Sequence, residues 1–218
     1  MKRFLDVVLS FLALVVLAPF LLPVIIILRF TGEGEVFYIQ ERAGRGGNPF
    51  GLYKFATMLK NSPNIGAGEI TVRGDPRVLP IGKFLRKTKL NELPQLWNIF
   101  VGDMSVVGPR PMVLNTYAYY PESARQKLNT IRPGLTGIGS IIFRDEERYL
   151  ANRDEPMEFY REHIIPYKSD LELWFVKNNT LWLYIKIIFV TAWVVVFSSS
   201  TIADKVFVGI PRLPDSLI

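Results

Sequence analysis

Residues Phe4–Leu28 read FLDVVLSFLALVVLAPFLLPVIIIL, and this stretch decides the fold class of the chain. Asp6 is its only ionisable residue, and about 20 apolar residues are enough for a helix that crosses a bilayer. The stretch is longer than the apolar part of a cleaved signal peptide, and it ends in bulky Ile and Leu where a cleavage site has small residues. We therefore expect a retained membrane segment.

Two prolines lie within this segment. Pro19, after Ala18, and Pro23 each remove a helix hydrogen bond and clash with the preceding turn. Lys2 on one flank and Arg29 on the other leave almost no asymmetry for the positive-inside rule to act on. The residues alone are equally compatible with a proline-kinked spanning helix and with a broken helix that dips into one leaflet and returns.

The composition narrows the chemistry that the chain can perform. Its 218 residues are 49% hydrophobic and carry a net charge of +6, which favours anionic lipid, phosphorylated substrates or nucleic acid as partners. There is no cysteine, which excludes disulfides, thiolate metal sites and cysteine nucleophiles. His163 is the only histidine, which we interpret as structural. Any catalysis must use carboxylates, arginines and lysines, with a divalent ion on oxygen ligands.

Short strands and helices are predicted after the apolar segment. Residues 35–58, EVFYIQERAGRGGNPFGLYKFATM, predict a strand, a glycine-rich turn and a second strand. Residues 81–100 predict a basic and then amphipathic helical stretch suited to a membrane surface. Asn91 is expected to be an N-cap there, with Pro94 in the first helical turn.

Two further stretches have helical spacing. Residues 143–163, FRDEERYLANRDEPMEFYREH, mix charges of both signs, and we interpret them as a solvated helix face. The stretch from Leu181 to Phe197 is apolar except for Lys186 and is marginal in length for spanning a bilayer. We expect a helix that lies in or against the bilayer or packs on the first segment.

The segment Lys87–Pro111, KTKLNELPQLWNIFVGDMSVVGPRP, holds more polar chemistry than a packed core needs. An arginine fixed between two prolines, as Arg110 is, is held in place before a ligand arrives, and its guanidinium matches phosphate bidentately. Such cations beside carboxylates suit a diphosphate together with a divalent ion. The residues predict a membrane-bound site for a phosphorylated substrate, with these candidates: Lys54, Arg86, Glu92, Asp103, Arg110, Arg132 and Arg144.

The order of the motifs YKFATM, DPRV, IGKFLRKTKLNELPQLWNIFVGDMSVVGPRP and IRPGLTG resembles the bacterial sugar transferases, the monotopic phosphoglycosyl transferases. The likeness covers roughly Met1 to Phe197. It implies transfer of a sugar 1-phosphate from a nucleotide diphosphate sugar, usually a UDP-sugar, to polyprenyl phosphate, with release of UMP. The reaction would start a surface glycan at the cytoplasmic face of the bacterial inner membrane.

The resemblance also implies a fold and a set of partners. The fold is a membrane-associated α/β fold of α+β type, with short strands and amphipathic interface helices. We expect a re-entrant helix-break-helix over residues 1–31, broken at Ala18–Pro19, and a cytoplasmic catalytic domain over 32–180. An apolar interface helix over 181–200 and a tail over 201–218 follow. Anionic membrane lipids are expected partners, nucleic acid is not, and a homodimer is left open.

In this family an adjacent Asp-Glu pair before LPQ carries the chemistry. The Asp attacks the sugar-bearing phosphate and forms a covalent phosphosugar enzyme, assisted by Mg²⁺. Here the pair is Asn91–Glu92, so the resemblance assigns catalysis to Glu92 and Asn91 and metal binding to Glu92 and Asp103. It implies that the cations bind substrate phosphate: Lys54, Arg86, Arg110, Arg132 and Arg144.

Asn91 is the main departure from the family pattern, because an uncharged amide cannot act as an aspartyl nucleophile. Three accounts remain open. Glu92 serves as nucleophile or base in a direct transfer, or the protein binds substrate without turnover, or Asn91 is an introduced substitution. A membrane scaffold that binds nucleotide sugars is the alternative function. Milder departures are Ala18, where serine is common, and Ala56, where a second basic residue is common, while Arg144 stands near the place of a family arginine.

Overall fold

A long apolar helix begins the chain and lies along a small domain of mixed helix and sheet. The computed structural model describes residues 1–65, 74–150, 153, 155–197 and 202–217. Helix α1, Lys2–Arg29, has 28 residues and is about 42 Å long. Within those ranges it is the one helix whose length and composition allow it to cross a membrane.

The interruption expected at Ala18–Pro19 is not observed, because α1 is helical throughout and contains both Pro19 and Pro23. Each proline costs the helix a backbone donor. Side chains on either side of Pro19 pack against the domain, Leu17 on one hydrophobic cluster and Leu21 on another. These contacts hold the helix on both sides of the missing hydrogen bonds. How α1 meets the bilayer stays a prediction.

Both ends of α1 are attached to the domain. Near the start, buried Asp6 accepts hydrogen bonds through Oδ1 from Ser105 Oγ at 2.9 Å, Val106 N at 2.8 Å and the Tyr184 hydroxyl at 2.8 Å. Near the end, Leu28 lies in one buried cluster with two domain residues. The helix therefore runs along the domain over its whole length instead of projecting from it.

The predicted hairpin is confirmed. Strands β1, Phe37–Ala43, and β2, Pro49–Phe55, pair antiparallel, with Phe37 opposite Phe55 and Ala43 opposite Pro49. The turn between them contains Gly46 and Gly47, both at φ 77°, a conformation that favours glycine.

The segment that holds the Asn91–Glu92 pair folds as three short helical pieces. Helix α2, Pro80–Lys87, is followed by a 3₁₀ turn, Leu90–Glu92, and by helix α3, Gln95–Val101. The expectation that Asn91 is a helix N-cap is wrong. Asn91 lies inside the 3₁₀ turn, and α3 starts after Pro94 without a side-chain cap. The preceding turn satisfies the first amides of α3 instead, because Leu96 N donates to Leu93 O and Trp97 N donates to Pro94 O, both at 3.0 Å.

Two three-residue strands pair in parallel next to α3. They are β3, Ser105–Val107, and β4, Gly134–Thr136. The remaining helices surround them: α4 Leu114–Tyr117, α5 Glu122–Leu128, α6 Ile138–Ile142, α7 Glu146–Leu150, α8 Pro156–Phe159, a π-helical turn Tyr160–Ile164, α9 Ile165–Lys177, α10 Leu181–Val196 and α11 Ile202–Val206.

Helix α10 has one face in the main hydrophobic core and one apolar face exposed. Tyr184 and Ile187 are fully buried, whereas Phe189 and Val196 are largely exposed. Its start at Leu181 agrees with the predicted boundary. The residues after α10 also enter this core, since Phe207 and Leu217 are buried in it. The domain divisions themselves stay predictions.

Candidate active site

Close backbone contact between two glycine-containing loops positions Arg110. Gly108 N donates to Thr136 O at 2.9 Å, and Gly134 N donates to Pro109 O at 2.8 Å. A Cβ on Gly134 would lie 2.0 Å from Gly108 N, and a Cβ on Gly137 would lie 2.2 Å from Gly108 O. Only glycine allows this approach, which explains why VGPRP and RPGLTG share glycines beside their prolines.

Arg110 forms an ion pair with Glu92. Arg110 Nη2 lies 2.8 Å from Glu92 Oε1, and the side chains are 37% and 17% exposed. Burial alone would raise the pKa of Glu92, but the charges of Arg110 and Lys54 outweigh it and lower that pKa to about 2. Glu92 is therefore ionised at neutral pH, and Arg110, whose pKa is raised mainly by Glu92, is firmly protonated.

Further cations line the same open cleft, which has a volume of about 2470 Å³. Burial lowers the pKa of Lys54 well below its usual range, and the neighbouring charge of Arg42 adds to that effect. The structure thus brings together most of the predicted residues, and these line the cleft: Lys54, Arg86, Asn91, Glu92, Arg110 and Arg144. Arg42 is an addition. It lies in β1 and donates from Nη1 to Pro111 O at 3.2 Å.

Asn91 is buried beside Glu92 without a partner for its carbonyl oxygen. Its side-chain Oδ1 has no hydrogen-bond partner among the described residues. A buried acceptor without a donor costs free energy, on the order of 1–3 kcal/mol. An unsatisfied oxygen in a cleft is an observation that points to a ligand.

The structure separates two of the predicted residues from the cleft. Asp103 Oδ2 accepts from Asn98 Nδ2 at 3.1 Å, and Arg132 Nε donates to Gly102 O at 2.7 Å. Glu92 precedes α3 and Asp103 follows it, so about 10 Å of helix lies between them. Asp103 and Arg132 therefore stabilise the far end of α3, and they do not share a site with Glu92.

Sequence reasoning missed a polar group that also lines the cleft, formed by Glu146, Tyr160, Lys168 and Glu172. Lys168 is 6% exposed, and its Nζ lies 2.7 Å from Glu146 Oε1 and 3.3 Å from the Tyr160 hydroxyl. The expectation of a solvated face is wrong for Glu146 and Tyr160, because α9 packs against this segment and brings Lys168 to them. Alternating charges alone carry no signal of that contact.

The oxygen atoms near Glu92 fit a magnesium ion that is held largely by substrate. Within the described ranges, no three Asp, Glu, His or Cys side chains come together as a metal site. Magnesium commonly takes one or two protein carboxylates and completes its coordination with substrate phosphates and water. Glu92 supplies a carboxylate and Asn91 Oδ1 supplies an unpartnered neutral oxygen.

The fold joins an apolar helix that is long enough to cross a membrane to a cleft that holds an ion-paired carboxylate among several cations. The sequence profile described as bacterial sugar transferase matches residues 1–198, and the chain belongs to this family.

Similar proteins carry names consistent with that family. The chain is 30% identical, over 87% of its length, to a UDP-N-acetylgalactosamine-undecaprenyl-phosphate N-acetylgalactosaminephosphotransferase of Aeromonas hydrophila. It is 34% identical, over 89%, to an undecaprenyl-phosphate galactose phosphotransferase of Salmonella typhimurium. The matches cover 42% and 40% of those proteins, so the chain spans about two fifths of their length. The exopolysaccharide production protein ExoY of Sinorhizobium fredii is 39% identical over 68% of this chain and 71% of its own length.

Proposed function

We propose that the protein transfers a sugar 1-phosphate from a UDP-sugar to undecaprenyl phosphate at the cytoplasmic face of the bacterial inner membrane. The observation that carries the proposal is the Glu92–Arg110 pair, 2.8 Å apart, in a cleft that also holds Lys54. Fixed cations beside a carboxylate bind a diphosphate and stabilise charge on its oxygens. The names of the relatives supply the acceptor and the class of donor.

The step itself does not require an aspartate at position 91. A phosphate monoester has a second pKa near 6, so the acceptor is largely a dianion at neutral pH and needs no general base. An acceptor oxygen forms a bond to the sugar-bearing phosphorus, the bond from that phosphorus to the bridging oxygen breaks, and UMP leaves with that oxygen. Arg110 and Lys54 stabilise the charge on the leaving phosphate.

Glu92 has two roles open to it. With a pKa of about 2 it is too weak a base to accept a proton at neutral pH, but it is ionised. Its carboxylate can attack the sugar-bearing phosphorus in a covalent route, or it can bind magnesium in the direct one. Magnesium, held by Glu92 and the substrate diphosphate, would neutralise charge on the phosphate oxygens.

The attachment of α1 to the domain supports a membrane course with both helix ends on one side. The Lys2 ammonium donates to Asn179 O at 2.8 Å, and Leu28 is buried against Leu85 and Phe55. A helix that crossed the bilayer at right angles to its surface would carry one end away from a cytoplasmic domain. Exposed apolar side chains along α1, such as Phe11 and Phe20, would face lipid.

The proposal is tested with membranes from cells that express the protein, a panel of UDP-sugars and undecaprenyl phosphate. We expect release of UMP and sugar label in the lipid fraction with one or a few donors. Membranes without the protein are the control. Binding of UDP-sugars with no release of UMP from any of them would contradict the proposal.

The buried amide of Asn91 supports a second candidate, a membrane scaffold that binds nucleotide sugars without turnover. The substitution Asn91→Asp separates the two. If the native protein is a direct transferase, both forms release UMP, and only the variant forms a phosphosugar adduct visible by mass spectrometry. If it is a scaffold, UMP release begins only with the variant.

A further inference from the structure

Glu172 is a buried carboxyl group on α9 that touches the loop carrying Arg110. The residue is 4% exposed, and its Oε1 accepts from Arg110 N at 3.4 Å. Its other oxygen, Oε2, has no hydrogen-bond partner in the described part of the chain. Arg110 therefore has a carboxyl group on each side, Glu92 at its guanidinium and Glu172 at its backbone.

The carboxyl group of Glu172 is held closely by its surroundings. A Cβ on Gly139 would lie 2.4 Å from Glu172 Oε1, so glycine at position 139 leaves the space that this carboxyl oxygen occupies. A cavity of about 30 Å³ behind the loop is lined by Glu172, Arg110, Tyr117 and others. That volume has room for a water molecule to bond a free carboxyl oxygen.

No cation is dedicated to Glu172 in the described structure. Lys168, on the same helix, is engaged by Glu146 at 2.7 Å, and the Arg110 guanidinium is engaged by Glu92. The phenol of Tyr120 is a further titratable group whose pKa is raised by the nearby Glu172. Burial raises the pKa of Glu172 to about 8, and the Arg110 backbone N–H and the charges of Lys168 and Arg110 offset this only in part.

We propose that Glu172 is a positioning residue for Arg110. In its neutral form it supports the Pro109–Arg110–Pro111 backbone, and when ionised it weakens the binding of a diphosphate by Arg110. The identity of that ligand rests on the proposed function. The reason is electrostatic, since an ionised Glu172 places a second negative charge behind the arginine that binds the phosphate. By linkage, a bound diphosphate must in turn favour the neutral form of Glu172.

The test measures UDP affinity from pH 6.5 to 9 in wild type, Glu172→Gln and Asp170→Asn. Gln cannot ionise, and Asp170 is an exposed residue two positions away on the same helix. We expect wild type and Asp170→Asn to lose about ten times more affinity across this range than Glu172→Gln does. Equal losses in all three proteins would overturn the proposal.

A second measurement does not depend on any ligand. The amide resonance of Arg110 in the full-length protein, followed by NMR in detergent micelles, should titrate with pH in wild type and stay fixed in Glu172→Gln. An Arg110 amide that is unaffected by the substitution would overturn the proposal. If this resonance titrates as expected while UDP fails to bind at any pH, the positioning role stands and the proposed function fails.

Discussion

Two glutamates contact the same arginine and differ in charge. Glu92 faces the guanidinium of Arg110 and has a pKa of about 2, whereas Glu172 faces its backbone N–H and has a pKa of about 8. Both are poorly accessible, and burial disfavours the charged form of both. The difference in pKa comes from the neighbouring charges, because Glu92 has Arg110 and Lys54 close to it and Glu172 has no cation of its own. The position of one guanidinium decides which carboxyl group is ionised.

Removing the charge of Glu92 should have the largest effect. We expect Glu92→Gln to reduce UMP release about a thousandfold, because it removes the carboxylate available for attack or for magnesium. Asp103→Asn is the matched control, since Asp103 lies at the far end of α3. Comparable losses in both variants would show that the assay reports stability of α3 and not chemistry.

Replacing Arg110 should weaken the binding of the donor. Arg110→Lys keeps a positive charge but loses the forked geometry, and we expect donor affinity to fall about thirtyfold. Arg132→Lys removes the same kind of side chain outside the cleft and should leave donor affinity near that of wild type. Isothermal titration with UDP distinguishes them, and equal behaviour of the two variants would assign Arg110 a structural role.

Glu172 should make the protein less stable as pH rises. A carboxyl group with a raised pKa binds more protons in the folded than in the unfolded state between pH 4.5 and about 8. The free energy of unfolding therefore falls through that window, by up to about 5 kcal/mol, and Glu172→Gln should abolish the fall. Denaturant unfolding at several pH values measures this fall in the free energy of unfolding. A wild-type slope retained in Glu172→Gln would contradict the pKa.

Glu92 should have the opposite effect on stability, because the protein should become less stable as pH falls. Its pKa is lowered, so its contribution to stability is complete above pH 4.5 and is lost as pH falls towards about 2. Full loss of this contribution should lower the free energy of unfolding by about 3 kcal/mol. The same unfolding series at acid pH should show a steeper decline in wild type than in Glu92→Gln. Parallel curves would mean that the ion pair with Arg110 does not persist in solution.

The smallest expected effect is the uptake of a proton by Lys54 when a diphosphate binds. Since burial lowers the pKa of Lys54, part of this side chain is neutral at alkaline pH, and a bound diphosphate should restore its proton. Calorimetry of UDP binding at pH 8.5, in buffers with different ionisation enthalpies, should report uptake of less than about one proton. Lys54→Met should reduce the uptake to the part contributed by Glu172, and the double variant Lys54→Met/Glu172→Gln should show no buffer dependence; an uptake unchanged by Lys54→Met would contradict the role of Lys54.

The local elements were largely predictable from the sequence. Alternation and glycine placement predicted the hairpin of β1 and β2, and the motifs located Arg110 and Glu92 in one cleft. The positions of the prolines did not predict that α1 is one continuous helix. Its continuity depends on contacts of Leu17 and Leu21 with residues distant in sequence.

The differences between the expected and the observed positions of these polar side chains have a common cause. Asp103 and Arg132 lie in the same motifs as true cleft residues, yet their partners are a buried amide and a helix carbonyl. Glu172 stands in a helix of mixed charged and apolar residues, and its contact with Arg110 depends on α9 meeting the loop across 62 positions of sequence. Residue type indicates what a side chain can do, whereas tertiary packing decides where it does so.

The three hydrogen bonds to Asp6 limit the order in which contacts can form while the protein is synthesised. Asp6 emerges from the ribosome with α1, but its Tyr184 partner follows 178 positions later. Throughout most of synthesis the carboxylate therefore sits in an apolar helix with its donors incomplete. Synthesis of α10 supplies the last of these donors. The first turns of α1 therefore cannot complete the contacts of Asp6 until α10 has been made.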